Sequence, residues 1–301
     1  MTVIAIVNRK GGSGKSTLAT HMAAWLSRRG ERVMLGDVDR QQSVVHWLRR
    51  REQHTLPGAP LVGWALDPRN VLRPPVGINH VVLDTPGGLQ GFDLSRLLVH
   101  ADLLLMPVCD SIFDRESAAA CLTELRAHPR VAGGRVQIGV VGMRVDARTH
   151  GEQQLREWAE AQAVPFVGVL REARAYVRCA EAGLSVFDLP VAKVQADLAQ
   201  WQPVLEWTTR RIAAEAAAVR KPGSGAAASV LPTAPMKPVR PLQSVRPVRP
   251  PQRERIERTE RTERTEQKAQ IARLPDRASS LRRLLGWLLL APLLARARSG
   301  S

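Results

Sequence analysis

Cysteine, aromatic residues and long apolar runs are all scarce in this chain of 301 residues. The three cysteines, Cys109, Cys121 and Cys179, are too few and too widely spaced for a disulfide framework or a metal-ligand pattern. No run of ~18 or more apolar residues occurs, which excludes a conventional membrane span. No signal peptide follows Met1. We therefore expect a cytoplasmic protein rather than a secreted or membrane-embedded one.

Positive charge is abundant and unevenly distributed. The chain carries a net charge of +16, of which residues 221–301, with 17 basic and 6 acidic side chains, contribute +11. The same 81 residues hold 10 of the 21 prolines and only one of the 12 aromatic side chains, so they cannot build an ordinary core. We predict one globular domain over residues 1–220, followed by a disordered basic tail that attracts polyanions.

The tail has two parts with different compositions. Residues 221–280 contain repeated Val-Arg-Pro and Glu-Arg-Thr elements and are predicted to be a solvated linker. Residues 281–301 include an apolar stretch from Leu284 to Leu294, flanked by arginines. As a helix it would extend about 17 Å, short of the ~30 Å hydrocarbon core of a bilayer. It is therefore predicted to contact a membrane surface peripherally or to dock on a protein, with an intramolecular contact as the third alternative.

Apolar runs and helical patterns alternate through the first 220 residues. Strands are predicted at 3–7, 33–35, 61–66, 80–83, 103–108, 136–141 and 166–170. Helices are predicted at 15–29, 41–50, 92–100, 115–126, 151–161 and 191–219, the last broken at Pro203. Near-continuous apolar strands alternating with helices indicate an α/β domain with a doubly wound, mostly parallel sheet.

A glycine-rich segment joins the first predicted strand to the first helix, which is the position of a P-loop. It reads, in order, Lys10, Gly11, Gly12, Ser13, Gly14, Lys15, Ser16 and Thr17. Glycines allow backbone N–H groups to converge on phosphate oxygens, Lys15 can reach the β- and γ-phosphates, and Ser16 can bind Mg²⁺. The alternative is a glycine turn that binds nothing. Arg9 occupies the position of the usual first glycine.

These residues carry a resemblance to a known family. Lys-Gly-Gly-x-Gly-Lys-Ser resembles the deviant Walker A motif of the ParA/MinD family of positioning ATPases, and it leans toward the ParA and MipZ side. Residues 36–43 are similar to the family's Asp-x-Asp-Pro-Gln segment, and residues 80–88 to its Walker B strand and following loop. Over residues 1–215 the resemblance implies a P-loop NTPase fold, with ATP and Mg²⁺ as cofactors.

Three charged residues receive candidate catalytic or metal-binding roles. Asp84, at the carboxyl end of an apolar strand, can hold Mg²⁺ through water or Ser16, with a helix cap as the alternative. The resemblance implies that Asp37 orients the attacking water, whereas a turn or N-cap role is the alternative. It also implies that Lys10 reaches the partner's ATP across a nucleotide-sandwich dimer. The alternative for Lys10 is a phosphate contact within its own chain.

Recognition of the base rests on the resemblance alone. Relatives carry Asn-Arg after the corresponding strand, where the asparagine and the neighbouring backbone contact adenine. Met143 and Arg144 are therefore the expected adenine-binding positions, with Met143 replacing the asparagine.

Arginines after the last predicted strand and near the end of the domain form a candidate DNA-binding set. They are Arg171, Arg174, Arg178, Arg210 and Arg211. If they share a face, they would contact DNA phosphates without reading bases, because no helix-turn-helix or zinc pattern is present. Ordinary solvated helix faces are the alternative.

Taken with the resemblance, these features predict a slow ATPase that is stimulated by a partner protein. ATP would dimerise it on non-specific DNA, and the switch would position or partition a chromosome, a plasmid or a protein assembly. The expected location is cytoplasmic and nucleoid-associated, or peripheral at the inner membrane. A MinD- or MipZ-like division-site regulator with membrane contact is one alternative. A metabolic P-loop enzyme, either amide-forming or a reductase component, and a scaffold whose tail recruits a partner are the others.

Overall fold

The computed structural model describes residues 1–39, 41–65 and 74–220. All of these belong to the first of the two units into which the chain divides, Met1–Gly225. The predicted linker at 221–280 and the apolar segment at 281–301 lie outside the described residues, so both stay predictions.

Seven strands form one sheet in the described part of the chain. They are β1 (Thr2–Ile6), β2 (Val33–Asp37), β3 (Leu61–Ala65), β4 (His80–Asp84), β5 (Leu103–Val108), β6 (Gln137–Val145) and β7 (Phe166–Arg171). Their order is β3-β2-β4-β1-β5-β6-β7, and every neighbouring pair is parallel. The predicted doubly wound parallel sheet is confirmed.

The helices between and after these strands include two that the sequence patterns missed, α5 and α7. In order they are α1 (Lys15–Arg28), α2 (Ser43–Arg51), α3 (Gly91–His100), α4 (Ile112–Ala127), α5 (Pro129–Ala132), α6 (Gly151–Ala161), α7 (Arg174–Ala182) and α8 (Val191–Arg220), with a 3-10 turn at Val186–Asp188. The predicted break at Pro203 is wrong. The non-helical residue of α8 is Val194, and Pro203 stays inside the helix.

Side chains alternate across the sheet and build a core on each face. In β1, Ile4 and Ile6 pack with residues of α1, α2, α7 and α8, whereas Val3 and Ala5 pack with residues of α3, α4 and α6. Both faces are covered, as parallel sheets require, and the carboxyl ends of the strands meet at one edge, where ligands bind in such folds. Among the described residues, no helix has the length and apolarity needed to cross a membrane.

Candidate nucleotide-binding site

The glycine loop lies between β1 and α1, as the sequence predicts. Gly12 has φ of +72° and Gly14 has φ of +93°, backbone conformations that favour glycine. Helix α1 begins directly afterwards at Lys15, so its unpaired N-terminal N–H groups and those of the loop lie beside the cleft. The loop therefore has the backbone geometry of a phosphate cradle.

Lys15 is buried, and its ammonium is held at the loop. Its Nζ donates to the carbonyl oxygen of Lys10 at 2.9 Å. Burial lowers the pKa of Lys15, while the nearby carboxylates Asp84 and Asp39 act in the opposite direction. The cation is thus positioned where a bound nucleotide would place its phosphates.

Asp84 ends β4 with its carboxylate enclosed. It is 1% exposed, and neither of its oxygens has a hydrogen-bond partner among the described residues. Burial raises the pKa of Asp84 to about 7, the charge of Asp37 adds to this, and Ser16 and Lys15 oppose it. The Ser16 hydroxyl lies close enough to have that influence but does not meet the geometry of a hydrogen bond.

An enclosed carboxylate without a partner needs a proton or a cation. Oxygen ligands from Asp84 and Ser16 fit Mg²⁺, which keeps several of its waters and binds through one or two carboxylates together with nucleotide phosphates. When bound, the ion would neutralise charge on the phosphates. This donor set supports the predicted metal role of both residues.

Asp37 lies level with Asp84 on the neighbouring strand β2. Its two oxygens accept three backbone N–H groups, from Asp39 at 3.0 Å, Val44 at 2.9 Å and Val45 at 3.2 Å. Burial raises the pKa of Asp37, and these hydrogen bonds oppose the rise. Asp37 therefore supports the start of α2, the structural alternative foreseen from the sequence, while its catalytic role stays a prediction.

Arg9 and Lys10, at the start of the glycine loop, both contact α4. Lys10 Nζ lies 2.9 Å from Asp114 Oδ2, and Arg9 pairs with Glu124. Glu124 also accepts the Gly91 N–H at 2.6 Å, next to the loop that follows Asp84. These contacts were not foreseen, and the role of Lys10 across a dimer stays a prediction.

Met143 and Arg144 lie where β6 reaches the glycine loop. Met143 is buried, and a Cβ built on Gly14 would lie 2.7 Å from its Cε. Arg144 has φ of +53° and donates to the Gly12 carbonyl oxygen, with the Cys109 sulfur 3.4 Å from its Nη2. Both residues therefore support the loop from the side where adenine was expected.

The glycine loop opens into a cleft of about 740 Å³. Part of its lining comes from Ala173 and from α7, through Tyr176, Val177, Ala180 and Glu181. The sequence analysis missed these lining residues. Their position directly after the carboxyl end of β7 was the available signal, because ligands bind at that edge of such sheets.

The five candidate DNA-binding arginines lie on three elements, β7, α7 and α8, with different surroundings. Arg171 lines the cleft and donates to Asp197 at 2.8 Å. Arg174 and Arg178 are exposed on α7, and Arg210 is exposed on α8. Arg211, also on α8, is partly buried and lies 5.5 Å from the centre of the Trp207 ring. DNA contact by these residues stays a prediction.

A glycine loop between a strand and a helix, with a buried strand-end carboxylate beside the first serine of that helix, defines a P-loop nucleotide-binding domain. Residues 4–186 match the family described as the CobQ/CobB/MinD/ParA nucleotide binding domain. The chain belongs to this family, and the resemblance seen in its motifs is confirmed.

Relatives with known roles agree with this assignment. Maintenance of carboxysome distribution protein A from Gloeobacter kilaueensis is 34% identical over 61% of this chain and 83% of its own length. The chromosome-partitioning ATPase Soj of Thermus thermophilus is 32% identical over 50% of this chain and 73% of its own. A putative plasmid partition protein from Borrelia burgdorferi, solved with AMPPNP, superposes with a TM-score of 0.51 at 17% identity, covering 68% of this chain and 98% of that one. This last likeness concerns the fold alone.

Proposed function

We propose that the chain is an ATP-dependent dimerising switch ATPase that positions or partitions a cellular cargo while bound to DNA. The observation that carries this proposal is the arrangement of two lysines on one glycine loop. Lys15 is buried at the cleft, whereas the side chain of Lys10, at the start of the same loop, is 36% exposed. One cation can serve the nucleotide of its own subunit, and the other is accessible to a second copy.

Hydrolysis would use charge stabilisation and the positioning of water. Backbone N–H groups and Lys15 bind the phosphates, and Ser16 and Asp84 hold Mg²⁺. A carboxylate offers about four acceptor positions. Three backbone N–H groups bond Asp37, which leaves it capacity to orient one water. We infer that turnover is slow and is stimulated by an activating partner protein.

The proposed working location is the nucleoid. Exposed Arg174, Arg178 and Arg210 supply cations for phosphate contacts, and the +11 of residues 221–301 adds non-specific attraction to DNA. The relatives named for chromosome partitioning and carboxysome distribution support a positioning role. In this proposal, the partner protein that binds the ATPase determines which cargo is positioned.

Dimerisation tests the core of the proposal. Light scattering of the full chain should give a mass near twice that of the monomer with ATP and Mg²⁺, and the monomer mass with ADP. Lys10→Ala should stay monomeric with ATP while still binding the nucleotide, whereas Lys193→Ala, an exposed lysine on α8, should behave as wild type. Equal mass for the wild type with and without ATP would remove the dimer model.

The salt dependence of binding tests the DNA part. Removing one cation that binds a DNA phosphate makes the slope of log affinity against log salt shallower by about 0.9. We expect Arg174→Gln and Arg178→Gln each to make this slope shallower for DNA of any sequence. Arg135→Gln, an exposed arginine before β6 at the opposite edge of the sheet, is the matched control. Equal slopes for all three variants would exclude α7 from the DNA contact.

A further inference from the structure

The ammonium of Lys10 already has a partner within its own chain. Its Nζ lies 2.9 Å from Asp114 Oδ2, at the start of α4, and 6.0 Å from the centre of the Phe113 ring. The Asp114 side chain is 10% exposed and that of Lys10 is 36% exposed, so the pair is partly shielded from water. The residues are 104 positions apart, and the fold rather than local sequence brings them together.

The Asp114 carboxylate is held independently of Lys10. Ser111 caps α4 by accepting the Asp114 N–H at 3.2 Å, and its hydroxyl donates to Asp114 Oδ2. The carboxylate also lies in the first turn of α4, where the helix dipole favours a negative charge. It is therefore held in place when Lys10 leaves, so the ion pair can open and close repeatedly.

We propose that Asp114 is a positioning residue that holds Lys10 within its own subunit until ATP-bound copies pair. This inference rests on the proposed function, because it concerns the lysine that the ATP-bound dimer would use. Moving Lys10 toward a second copy requires this ion pair to open in each subunit. Asp114 thus raises the protein concentration at which ATP produces dimers, and it keeps the nucleotide-free chain monomeric.

Asp114→Asn is the appropriate variant, because it removes the charge and keeps the shape and the Ser111 contact. Glu116→Gln is the matched control, since Glu116 is an exposed carboxylate on the same helix. An ion pair that is partly exposed contributes about threefold to an equilibrium, and two pairs open per dimer. We therefore expect Asp114→Asn to lower the dimer Kd with ATP by about tenfold, and Glu116→Gln to leave it unchanged.

A second measurement reports on the ion pair without nucleotide or dimer. Acetylation of Lys10 by acetic anhydride, followed by mass spectrometry and normalised to exposed Lys193, should be slow in the wild type and several-fold faster in Asp114→Asn. Higher salt should accelerate Lys10 labelling in the wild type itself, because it screens a partly exposed pair. The salt experiment needs no substitution, so it tests the ion pair even if Asp114→Asn folds poorly.

The outcomes separate the inference from the function on which it rests. Lys10 labelling that responds to neither the substitution nor salt overturns the ion pair. Faster labelling with an unchanged or weaker dimer overturns the restraining role of Asp114. A wild type that stays monomeric with ATP overturns the proposed function, and it is recognised before any variant is compared. Faster labelling together with a tighter dimer, abolished in Lys10→Ala/Asp114→Asn, supports the inference.

Discussion

The two ends of the nucleotide cleft are built from different parts of the chain. At the phosphate end, the glycine loop and the start of α1 supply backbone N–H groups, with Lys15 and Asp84 beside them. At the end where the base is predicted to bind, called the base end below, side chains from β6 and α7 line the cleft, among them Met143, Arg144 and Tyr176. A site made of backbone is encoded in one short motif, whereas a site made of side chains depends on how distant elements pack.

The largest effect should follow from breaking the phosphate end. We expect Lys15→Ala to reduce ATP turnover by roughly a thousandfold or more, because it removes the cation that compensates phosphate charge in the transition state. Phosphate release and binding of a fluorescent ATP analogue measure the two consequences separately. Lys193→Ala should match the wild type. Unchanged affinity for ATP in Lys15→Ala would show that the phosphates bind elsewhere.

Low pH should reduce the stability of the domain most strongly through His21, which packs against Tyr176 behind the base end of the cleft. His21, on α1, is buried and stacks on Trp201 at 5.6 Å between ring centres, with Tyr176 at 5.3 Å. Its Nδ1 bonds the Thr17 carbonyl oxygen at 2.8 Å, and its Nε2 has no partner among the described residues. Burial therefore lowers the pKa of His21 from 6.5 to about 4. Charges on neighbouring elements adjust this value, with Asp188 and Asp197 raising it and Arg51 lowering it.

The sign of the pH dependence follows from this lowered pKa. Between pH 6.5 and about 4 the unfolded chain binds the proton more readily than the folded one, so stability falls as the pH falls. The expected loss across the window is about 3 kcal/mol. Urea titrations of wild type and His21→Phe should diverge, the variant losing less. The lowered pKa of His80 adds a loss to both proteins, whereas the raised pKa of Asp84 opposes it in both, because the folded chain takes up that proton more readily. Parallel losses would contradict the assignment to His21.

A smaller effect on ATP binding should follow from replacing Arg144, which lies between the two ends of the cleft. Arg144→Asn removes the guanidinium contact with Gly12, and asparagine tolerates the positive φ at this position. We expect ATP affinity to fall by about tenfold, because the loop loses a charge-assisted hydrogen bond. Isothermal titration calorimetry measures this. Arg148→Asn, an exposed arginine paired with Asp146, is the control. If wild type and Arg144→Asn bind ATP with the same affinity, Arg144 of β6 does not contribute to nucleotide binding.

The cleft should be least affected by changes in the tail. Removing residues 281–301 should leave ATP turnover unchanged within about twofold, because the cleft is built by the first 220 residues. The same truncation should reduce co-sedimentation with anionic vesicles, most strongly with ATP, since a dimer presents two apolar segments. If the two proteins pellet equally, docking on a partner protein replaces membrane contact as the prediction for this segment.

Much of the architecture was predictable because strands buried on both faces appear as continuous apolar runs. β4 was predicted at 80–83 and observed at His80–Asp84. Helix α7 was not predicted, although exposed Arg174 and Arg178 and buried Ala175 and Cys179 each recur at a spacing of four, as in an amphipathic helix. The signal was present, but its nine residues span fewer than three turns. In α8, Pro203 does not break the helix, and its neighbour Val204 packs closely on β7, where a Cβ built on Gly168 would lie 2.8 Å from Val204 Cγ2.

The position of the glycine loop between β1 and α1 was predictable, and the contacts around it were not. Arg9 meets Glu124 across 115 positions, and Lys10 meets Asp114 across 104. No local pattern relates such partners. Asp37 was predictable only in part. Its place at a strand end was evident from the sequence, but its hydrogen bonds to Val44 and Val45 depend on how the chain turns into α2.

The loop after Asp84 is fastened at two points. The Gly88 N–H bonds the Arg9 carbonyl oxygen at 2.6 Å, and the Gly91 N–H bonds Glu124, which also holds the Arg9 side chain. A Cβ on Gly87, just before Gly88, would lie 3.2 Å from the Gly11 backbone. The loop after Asp84 is therefore joined to the glycine loop and to α4. It moves together with the glycine loop and α4, or it gives up both hydrogen bonds, so its opening belongs with the slow collective motions of a protein rather than with the nanosecond motions of free loops.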